Sequence, residues 1–378
     1  MIKSTHVGSL PRPAAMIAQQ LRKEQITDTD LRGYLRELIE RQLAIGLNFI
    51  NNGELPRPDY ISSTVQRIAG FKQSGTAPLP RDLEELPEYA RRFSGRNGLI
   101  TLNPKAPVKL PACSSPLSYI GESSLKQELD MMTNSYQEAV SSSESPDSAL
   151  FFTAPSPGTI ALFMENRHYP DYQSYLQQLG EVLQKEYEII ADYGVMLQID
   201  CPDLAMGRHT RYKHLSDSQF LDLMETNIAV LNQALKNIDR HKCRAHICWG
   251  NYPGTHHCDI ELDTIFTCLT KLHPSYLSLE SCNHRHAHEY EVLTRRPFPA
   301  DKILMPGVID TTSNTVEHPE VVADRLKNFV SILGPERVIA STDCGFASTA
   351  SAASVSGEVA WLKLQSMVEG ARLADARL

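Results

Sequence analysis

Residues 173–200, QSYLQQLGEVLQKEYEIIADYGVMLQID, decide the fold, because a helical pattern there runs directly into a strand pattern. Within 173–193, apolar residues recur at the spacing of helix turns, namely at Leu176, Leu179, Val182, Leu183, Tyr187 and Ile190. Residues 195–199 (VMLQI) then form a short β-rich run that ends at the carboxylate of Asp200. A helix followed by a short buried strand is the repeating unit of α/β folds that contain a parallel sheet.

The same alternation extends in both directions from this stretch. Further helical patterns lie at 217–238, 318–333 and 359–373, and further β-rich runs lie at 243–248, 276–279, 303–305 and 337–340. Three more β-rich runs, at 5–8, 47–51 and 150–153, bring the number of predicted strands to eight. Eight strands alternating with helices predict an α/β protein with the (β/α)8 TIM barrel fold. A doubly wound open sheet is the alternative, because one sequence does not reveal the order of its strands.

The segment from about 60 to 147 fits this alternation poorly. It is rich in proline, glycine and serine, which favour turns and loops over regular barrel elements. We therefore predict a single (β/α)8 catalytic domain over residues 1–378, interrupted after its second strand by an inserted subregion at about 60–147. This subregion is expected to have its own hairpin and helices, and residues 141–148 (SSSESPDS) are expected to form an exposed loop.

The composition narrows the class of protein. The 378 residues include 37 Lys and Arg against 45 Asp and Glu, and the resulting formal net charge of −8 argues against a nucleic-acid partner. No apolar run approaches the roughly 18 residues of a membrane span, and the N-terminal residues lack the apolar segment of a secretory signal. These features predict a cytoplasmic enzyme without a membrane partner. A homo-oligomer is compatible with them.

Cysteine and histidine are concentrated in one part of the chain. The segment from His241 to His288 holds 13 of the 21 Cys and His residues. These residue types are the preferred ligands of zinc, but the paired C-x2-C spacing of zinc fingers is absent. A metal site here would therefore be assembled from separated positions. The alternative interpretation is a set of buried cysteines and solvated surface histidines without a metal.

Polar residues follow the predicted strands where each strand ends, at Glu54, Asp200, His246, Cys248, Glu280, Asp310 and Cys344. The carboxyl ends of barrel strands converge on one face, so these side chains are expected to meet in space. His246 and Cys248 are two residues apart and should point to the same side of their strand. Together with Cys344 and a fourth ligand, either Glu280 or Cys282, they predict a tetrahedral Zn2+ site. Such a site would bind a substrate thiol and lower its pKa, so that a thiolate could attack an electrophilic carbon.

Eight segments resemble, in order, the catalytic barrel of the cobalamin-independent methionine synthase (methionine synthase II) family. They are THVGSLPRP (5–13), NNGELPRPD (51–59), LFFTAPSPGTIALF (150–163), LQIDCPDLA (197–205), HICWGN (246–251), SLES (278–281), GVIDTTS (307–313) and STDCGF (341–346). The resemblance runs from residue 4 to about 373. The chain is most similar to the short single-barrel branch, which includes the epoxyalkane:coenzyme M transferases.

The resemblance implies a role for particular residues. It implies a zinc ion on His246, Cys248, Glu280 and Cys344, and so selects Glu280 over Cys282 as the fourth ligand. It implies that a thiol amino acid binds with its carboxylate on Val7, Gly8 and Ser9 and its amino group on Glu54 and Asp200. Asp200 is also predicted to be catalytic. Thr312 stands near the position of the family's proton-donor histidine, which leaves His318 as the predicted donor and His209 as another candidate.

The resemblance also implies a reaction. It predicts a zinc-dependent thiol S-alkyltransferase that moves a methyl group from a small-molecule donor to homocysteine or a related thiol, through a zinc-bound thiolate. The alternative is addition of a thiol to an epoxide, or the reverse carbon–sulfur cleavage. A non-enzymatic protein with a closed structural zinc, or with none, is the third hypothesis.

Overall fold

The structure is a computed structural model that describes residues 1–92, 100–141, 148–347 and 354–378. Within these ranges the strands are β1 (Lys3–Ser4), β2 (Phe49–Ile50), β3 (Ile68–Thr76), β4 (Lys109–Tyr119), β5 (Ala149–Pro155), β6 (Glu165–Asn166), β7 (Met196–Asp200), β8 (Cys243–Ile247), β9 (Tyr276–Leu279), β10 (Ile303–Ile309) and β11 (Ile339–Thr342). The helices are α1 (Ala14–Leu21), α2 (Asp28–Ile45), α3 (Ser62–Gln66), α4 (Arg81–Glu85), α5 (Pro87–Ala90), α6 (Glu122–Ser141), α7 (Pro157–Phe163), α8 (Tyr172–Asp192), α9 (Asp217–Ala234), α10 (Leu262–Leu269), α11 (Val292–Arg295), α12 (Pro319–Leu333) and α13 (Gly357–Asp375).

Eight of these strands form one parallel barrel. Their order is β1, β11, β10, β9, β8, β7, β5, β2, and every adjacent pair is parallel. The two end strands meet at Asn48, whose N–H donates to the carbonyl of Ser4 at 3.0 Å and whose Oδ1 accepts from the N–H of Ser4 at 2.9 Å. The sheet therefore closes on itself. The predicted (β/α)8 TIM barrel is confirmed, and the open-sheet alternative is wrong.

The first predicted strands differ most from the observed ones. The expected strand at 5–8 is shifted, because β1 ends at Ser4. Thr5 still donates its N–H to the carbonyl of Ala340 at 2.8 Å, but the N–H of Val7 donates to the hydroxyl of Thr342 at 3.2 Å. The chain thus leaves the strand ladder at this point, and residues 7–9 form a loop over the barrel mouth. The strand expected at 47–51 is likewise shorter, since only Phe49–Ile50 pairs with β5.

The long helices begin at recognisable caps. Asp171 accepts a hydrogen bond from the N–H of Ser174 at the start of α8, and Ser216 with Gln219 forms a capping box at the start of α9. These helices pack against each other around the barrel, as α12 does against α13 and α2 against α6. Among the described residues, no helix has both the length and the apolar character needed to cross a membrane.

The segment predicted as an insertion contains two kinds of element. β3 and β4 form an antiparallel hairpin, and β6 joins it to make a three-stranded sheet outside the barrel. The helix α6, by contrast, packs against α2 and α8 beside the barrel wall. Residues 142–147 of the expected exposed loop lie outside the described residues. The division into one barrel domain and an insertion with these bounds stays a prediction.

Apolar side chains and the guanidinium group of Arg244 fill part of the barrel interior. Phe49, Phe151, Met305 and Ile339 form a small buried cluster. Above them, the guanidinium of Arg244 lies 4.2 Å from the ring centroid of Phe151 and donates to the hydroxyl of Thr5 and the carbonyl of His6, both at 2.9 Å. Arg244 therefore fixes the strand end that leads into the loop at residues 7–9.

Candidate metal centre and substrate cavity

A cavity opens at the carboxyl ends of the barrel strands, where a TIM barrel carries its active site. Its empty volume is about 860 Å³, including its opening to solvent. Its wall contains most of the residues that the sequence predicts for the site, namely Val7, Gly8, Ser9, Glu54, Asp200, His246, Cys248 and Cys344. These residues come from five different strand ends or the loops that follow them, so the closed barrel is what brings them together.

Three of the predicted metal ligands converge in this wall. One ligand atom each from His246, Cys248 and Cys344 lies within 4.8 Å of the other two, and all three residues are buried. The two sulfur atoms are 3.7 Å apart. A tetrahedral zinc ion with Zn–S bonds of about 2.3 Å would separate its sulfurs by about 3.8 Å. The spacing of the thiols therefore fits one shared ion.

The ring of His246 has the orientation of a metal ligand. Its Nδ1 lies 3.3 Å from the hydroxyl of Ser278, and its Nε2 is buried without a hydrogen-bond partner in the described part of the chain. Buried ring nitrogens are normally satisfied, so an unpaired one needs an explanation. A histidine that binds a metal through one nitrogen commonly has the other nitrogen hydrogen-bonded. The donor set and this orphaned nitrogen fit a metal ion.

Glu280 lies beside this set of three but does not belong to it. Its Oε1 accepts from the N–H of Trp249 at 2.8 Å, and its Oε2 accepts from the side chain of Asn283 at 3.1 Å. Burial, followed by the charge of Asp343, raises the pKa of Glu280 to about 7. The hydrogen bond from Trp249 therefore links the carboxylate of Glu280 to the residue that follows Cys248. The competing ligand Cys282 is absent from the described cavity wall, and its Sγ lies 3.2 Å from Oδ2 of Asp343.

Asp343 links the loops that carry Glu280 and Cys344. Its Oδ1 accepts from the N–H groups of Ser281 and Cys282 at 2.8 and 3.0 Å, and its Oδ2 accepts from the N–H of Asn283 at 2.9 Å. One carboxylate therefore satisfies three backbone donors directly after β9. This arrangement fixes the loop after Glu280 to the residue that precedes Cys344.

Glu54 and Asp200 face the cavity as two buried carboxylates. Glu54 accepts from the hydroxyl of Thr153 at 2.8 Å and has a φ of 57°, which is unfavourable for a residue with a Cβ. Asp200 accepts from the side chain of Gln198 at 2.7 Å. Burial raises the pKa of Glu54, and burial together with the charge of Glu54 raises the pKa of Asp200 well above its ordinary value. The pair creates a place where a buried cation would be stabilised.

The loop at residues 7–9 approaches Glu54 closely because of a glycine. A Cβ at Gly8 would lie 2.9 Å from Oε1 of Glu54 and 3.1 Å from Cγ2 of Thr153. The N–H of Val7 is already bonded to Thr342, but those of Gly8 and Ser9 have no hydrogen-bond partner among the described residues. Two backbone donors are therefore available near the cavity for an anionic group.

The family model described as "Cobalamin-independent synthase, Catalytic domain" matches residues 153–373. The chain belongs to the cobalamin-independent methionine synthase family. A methionine synthase of Saccharolobus solfataricus is 24% identical to it, and the alignment covers 100% of this chain and 96% of that protein. A methionine synthase of Pyrococcus furiosus is 22% identical, and the alignment covers 98% of this chain and 92% of that protein.

Solved structures support the fold of this family member. A B12-independent methionine synthase from Shewanella sp. W3-18-1 superposes with a TM-score of 0.72 at 18% identity, covering 100% of this chain and 98% of that chain. A putative B12-independent methionine synthase from Listeria monocytogenes gives a TM-score of 0.65 at 19% identity, covering 100% and 99%. At such low identities these likenesses concern the barrel fold alone.

The predicted proton donors of this family member are not brought into the cavity. His318 is exposed at the start of α12, where its Nδ1 accepts from the N–H of Glu320 at 3.2 Å. Thr312 bonds to Asp310 through both its N–H and its hydroxyl. His209 is buried with its Nδ1 3.3 Å from Asp259. Their placement gives no support to a proton-donor role, and the identity of the donor stays a prediction.

The cavity also contains residues that the sequence did not identify as site residues. They are Tyr60, Ile100, Phe163, Pro202, Met206, Gly250, Asn251, Gly345, Phe346 and Ser354. The rings of Tyr60 and Phe163 meet edge to face with centroids 6.3 Å apart. Tyr60 directly follows the GELPRPD motif, and this position could have identified it as a site residue. Tyr60 instead stands at the start of the predicted insertion.

Proposed function

We propose that this chain is a zinc-dependent thiol S-alkyltransferase that transfers a methyl group to homocysteine or a closely related amino thiol. The observation that carries the proposal is the meeting of His246, Cys248 and Cys344 in the wall of a cavity at the catalytic face of the barrel. Membership of the family supports the reaction class, and the relatives cited above are named methionine synthases.

Zinc would be held by His246, Cys248 and Cys344, with Glu280 as the fourth ligand. A bound zinc ion supplies a Lewis acid that lowers the pKa of a coordinated thiol, so that sulfur is a nucleophile at neutral pH. Glu280 has partners of its own in Trp249 and Asn283. Its carboxylate therefore has hydrogen bonds available whether or not it is bound to the ion.

The remaining residues of the cavity are suited to an amino acid. The two buried carboxylates of Glu54 and Asp200 would receive an ammonium group, which would relieve their mutual repulsion. The free N–H groups of Gly8 and Ser9 would receive its carboxylate. Apolar side chains around them, including Phe163 and Phe346, would exclude water from the sulfur and the electrophile.

The same carboxylates favour an amino thiol over the alternative reaction. Burial raises the pKa values of Glu54 and Asp200 even though arginine side chains lie near both carboxylates. A thiol without an amine, as in coenzyme M-type addition to an epoxide, would add no further cation to this pair. Thiol addition to an epoxide, or the reverse cleavage, is therefore the second candidate.

The proposal is tested with the zinc-loaded full chain and homocysteine. Methyl-folate, methylcobalamin and a small methyl donor are supplied in turn, and methionine is measured by mass spectrometry. We expect methionine with at least one donor and none from the Cys344→Ser variant. No methionine with any donor would contradict the proposal, and turnover of epoxides with thiols that lack an amine would establish the alternative.

A further inference from the structure

A second group of metal-binding residue types lies apart from the cavity. Glu85 is the last residue of α4, and His257 and Cys258 lie in the loop between β8 and α10. One ligand atom from each residue lies within 4.8 Å of the other two. Glu85 is 172 residues away from His257 in sequence, so only the tertiary structure brings this cluster together.

The spacing of the three ligand atoms matches one small ion. Nε2 of His257 is 3.0 Å from Oε2 of Glu85, and Sγ of Cys258 is 3.6 Å from the same oxygen. Zinc bonds of about 2.0 Å to nitrogen and oxygen and about 2.3 Å to sulfur give tetrahedral edges of about 3.3 Å for N···O and about 3.5 Å for S···O. Both observed distances are close to these edges.

Neighbouring side chains fix the orientation of two of the ligands. The hydroxyl of Thr255 lies 2.7 Å from Nδ1 of His257, the nitrogen that faces away from the cluster. Arg81 donates to Oε1 of Glu85 at 2.7 Å, which leaves Oε2 for the cluster. Hydrogen bonds to the far side of an imidazole and of a carboxylate are how proteins orient metal ligands.

The two segments are already held together by a different residue of α4. Asp82 accepts from the N–H groups of Thr255 and His256 at 3.1 and 2.9 Å and from the hydroxyl of Tyr252 at 2.9 Å. An ion would therefore bind to a preformed site and would not have to bring the segments together. The side chains of His257 and Glu85 are 45% and 41% exposed, which leaves room for water as a fourth ligand.

We propose that Glu85, His257 and Cys258 form a second, solvent-open site for zinc or a similar borderline divalent ion, which cross-links α4 to the loop after β8. That loop begins at Cys248 and places Gly250 and Asn251 in the cavity wall. An ion at the second site would hold the far end of this loop. The inference does not depend on the proposed reaction, since it concerns binding alone.

The site is tested by counting zinc on the metal-free full chain with a competing chromophoric chelator. We expect two equivalents that differ in affinity, the tighter one at the buried cysteines. Cys258→Ser and His257→Gln should each lose the weaker equivalent and keep the tighter one. Cys268→Ser is the matched control, because that thiol also faces a carboxylate, at 4.0 Å from Glu225, but belongs to neither cluster. It should keep both equivalents.

Cobalt isolates the second site spectroscopically. In the double variant Cys248→Ser/Cys344→Ser, bound Co2+ should show a thiolate-to-metal charge-transfer band with the intensity of a single sulfur ligand. Adding the Cys258→Ser substitution should remove this band. A zinc count that Cys258→Ser leaves unchanged, or a band that survives Cys258→Ser, would overturn the proposal. If the double variant does not fold, the difference in zinc count between the wild-type chain and Cys258→Ser decides the question alone.

Discussion

At the scale of single residues, Cys344 should matter for the metal and little for the fold. We expect Cys344→Ser to lower zinc affinity at the buried centre by more than the roughly 100-fold that loss of an outer hydrogen-bond partner costs. The free energy of unfolding should change little, since the catalytic face of a barrel is separate from its stability core. Metal analysis and urea unfolding of the metal-free proteins measure the two effects.

Cys282→Ser is the matched control for that variant. Cys282 is also buried close to the centre, but its thiol faces Asp343. It should keep the tightly bound ion. Loss of the ion from Cys282→Ser would show that the choice of Glu280 as the fourth ligand is mistaken.

A second residue-scale prediction concerns the amino group of the substrate. Asp200→Asn removes one of the two buried carboxylates that face the cavity. It should weaken homocysteine binding by about 1–3 kcal/mol, the range for a lost hydrogen bond to a charged group. Isothermal titration with homocysteine and with a thiol that lacks an amine separates the effects, because only the first should bind more weakly. Equal affinity for homocysteine in both proteins would mean that Asp200 receives no ammonium group.

At the scale of elements, the loop after β9 depends on one carboxylate from the end of β11. Asp343→Ala would leave the N–H groups of Ser281, Cys282 and Asn283 without their acceptor. We expect a loss of about 1–3 kcal/mol of stability for each donor that remains buried and unpaired. Hydrogen exchange at residues 280–284 should accelerate, and zinc affinity should fall because Glu280 loses its fixed position.

Asp343→Asn offers a graded comparison with the same shape. Its amide oxygen can still accept from Ser281 and Cys282, whereas its NH2 group cannot accept from Asn283. Hydrogen exchange and zinc affinity should therefore lie between those of the wild-type chain and Asp343→Ala. An alanine variant with wild-type exchange rates would show that this link does not position the loop.

At the scale of the whole molecule, two histidines bonded to the buried Asp259 join the loops after β8 and β9. Asp259 lies 2.9 Å from Nδ1 of His256 and 3.0 Å from Nε2 of His286, and Nδ1 of His286 lies 2.8 Å from Glu289. Burial alone would lower the pKa of both histidines. The hydrogen bonds to Asp259, and for His286 also to Glu289, outweigh burial and raise the pKa values to about 9 and about 10.

This group should make stability depend on pH in the alkaline range. Both folded pKa values lie above the ordinary 6.5 of histidine, so folding favours the protonated forms. Their contribution to the free energy of unfolding is complete below about pH 6.5 and is lost as the pH rises through 9 to 10. Urea unfolding from pH 6 to 10 should show this decline, and His286→Gln should reduce it. His214→Gln, which removes an exposed histidine, should leave the decline unchanged.

Much of the architecture was predictable because its determinants are local. The helix period at 173–193 and the short β-rich run at 195–199 reappear as α8 and β7 with small shifts at their ends. The first strand was less predictable, because Val7 donates to the side-chain hydroxyl of Thr342 and not to a backbone carbonyl of the neighbouring β11. The site residues at strand ends could be proposed because any closed parallel barrel gathers those ends on one face.

The alternation of elements, the eight strands, and the residues that offer sulfur, imidazole and carboxylate at the strand ends could be predicted from the sequence alone. Helix period, strand period and caps are set by neighbours in the chain, so they are visible without a structure. The partners of the individual histidines, by contrast, became visible only in the folded chain. The fold left His318 exposed, paired His256 and His286 with Asp259, and brought Glu85 to Cys258. Contacts between distant residues depend on the paths of loops and on barrel closure, and no local pattern encodes either.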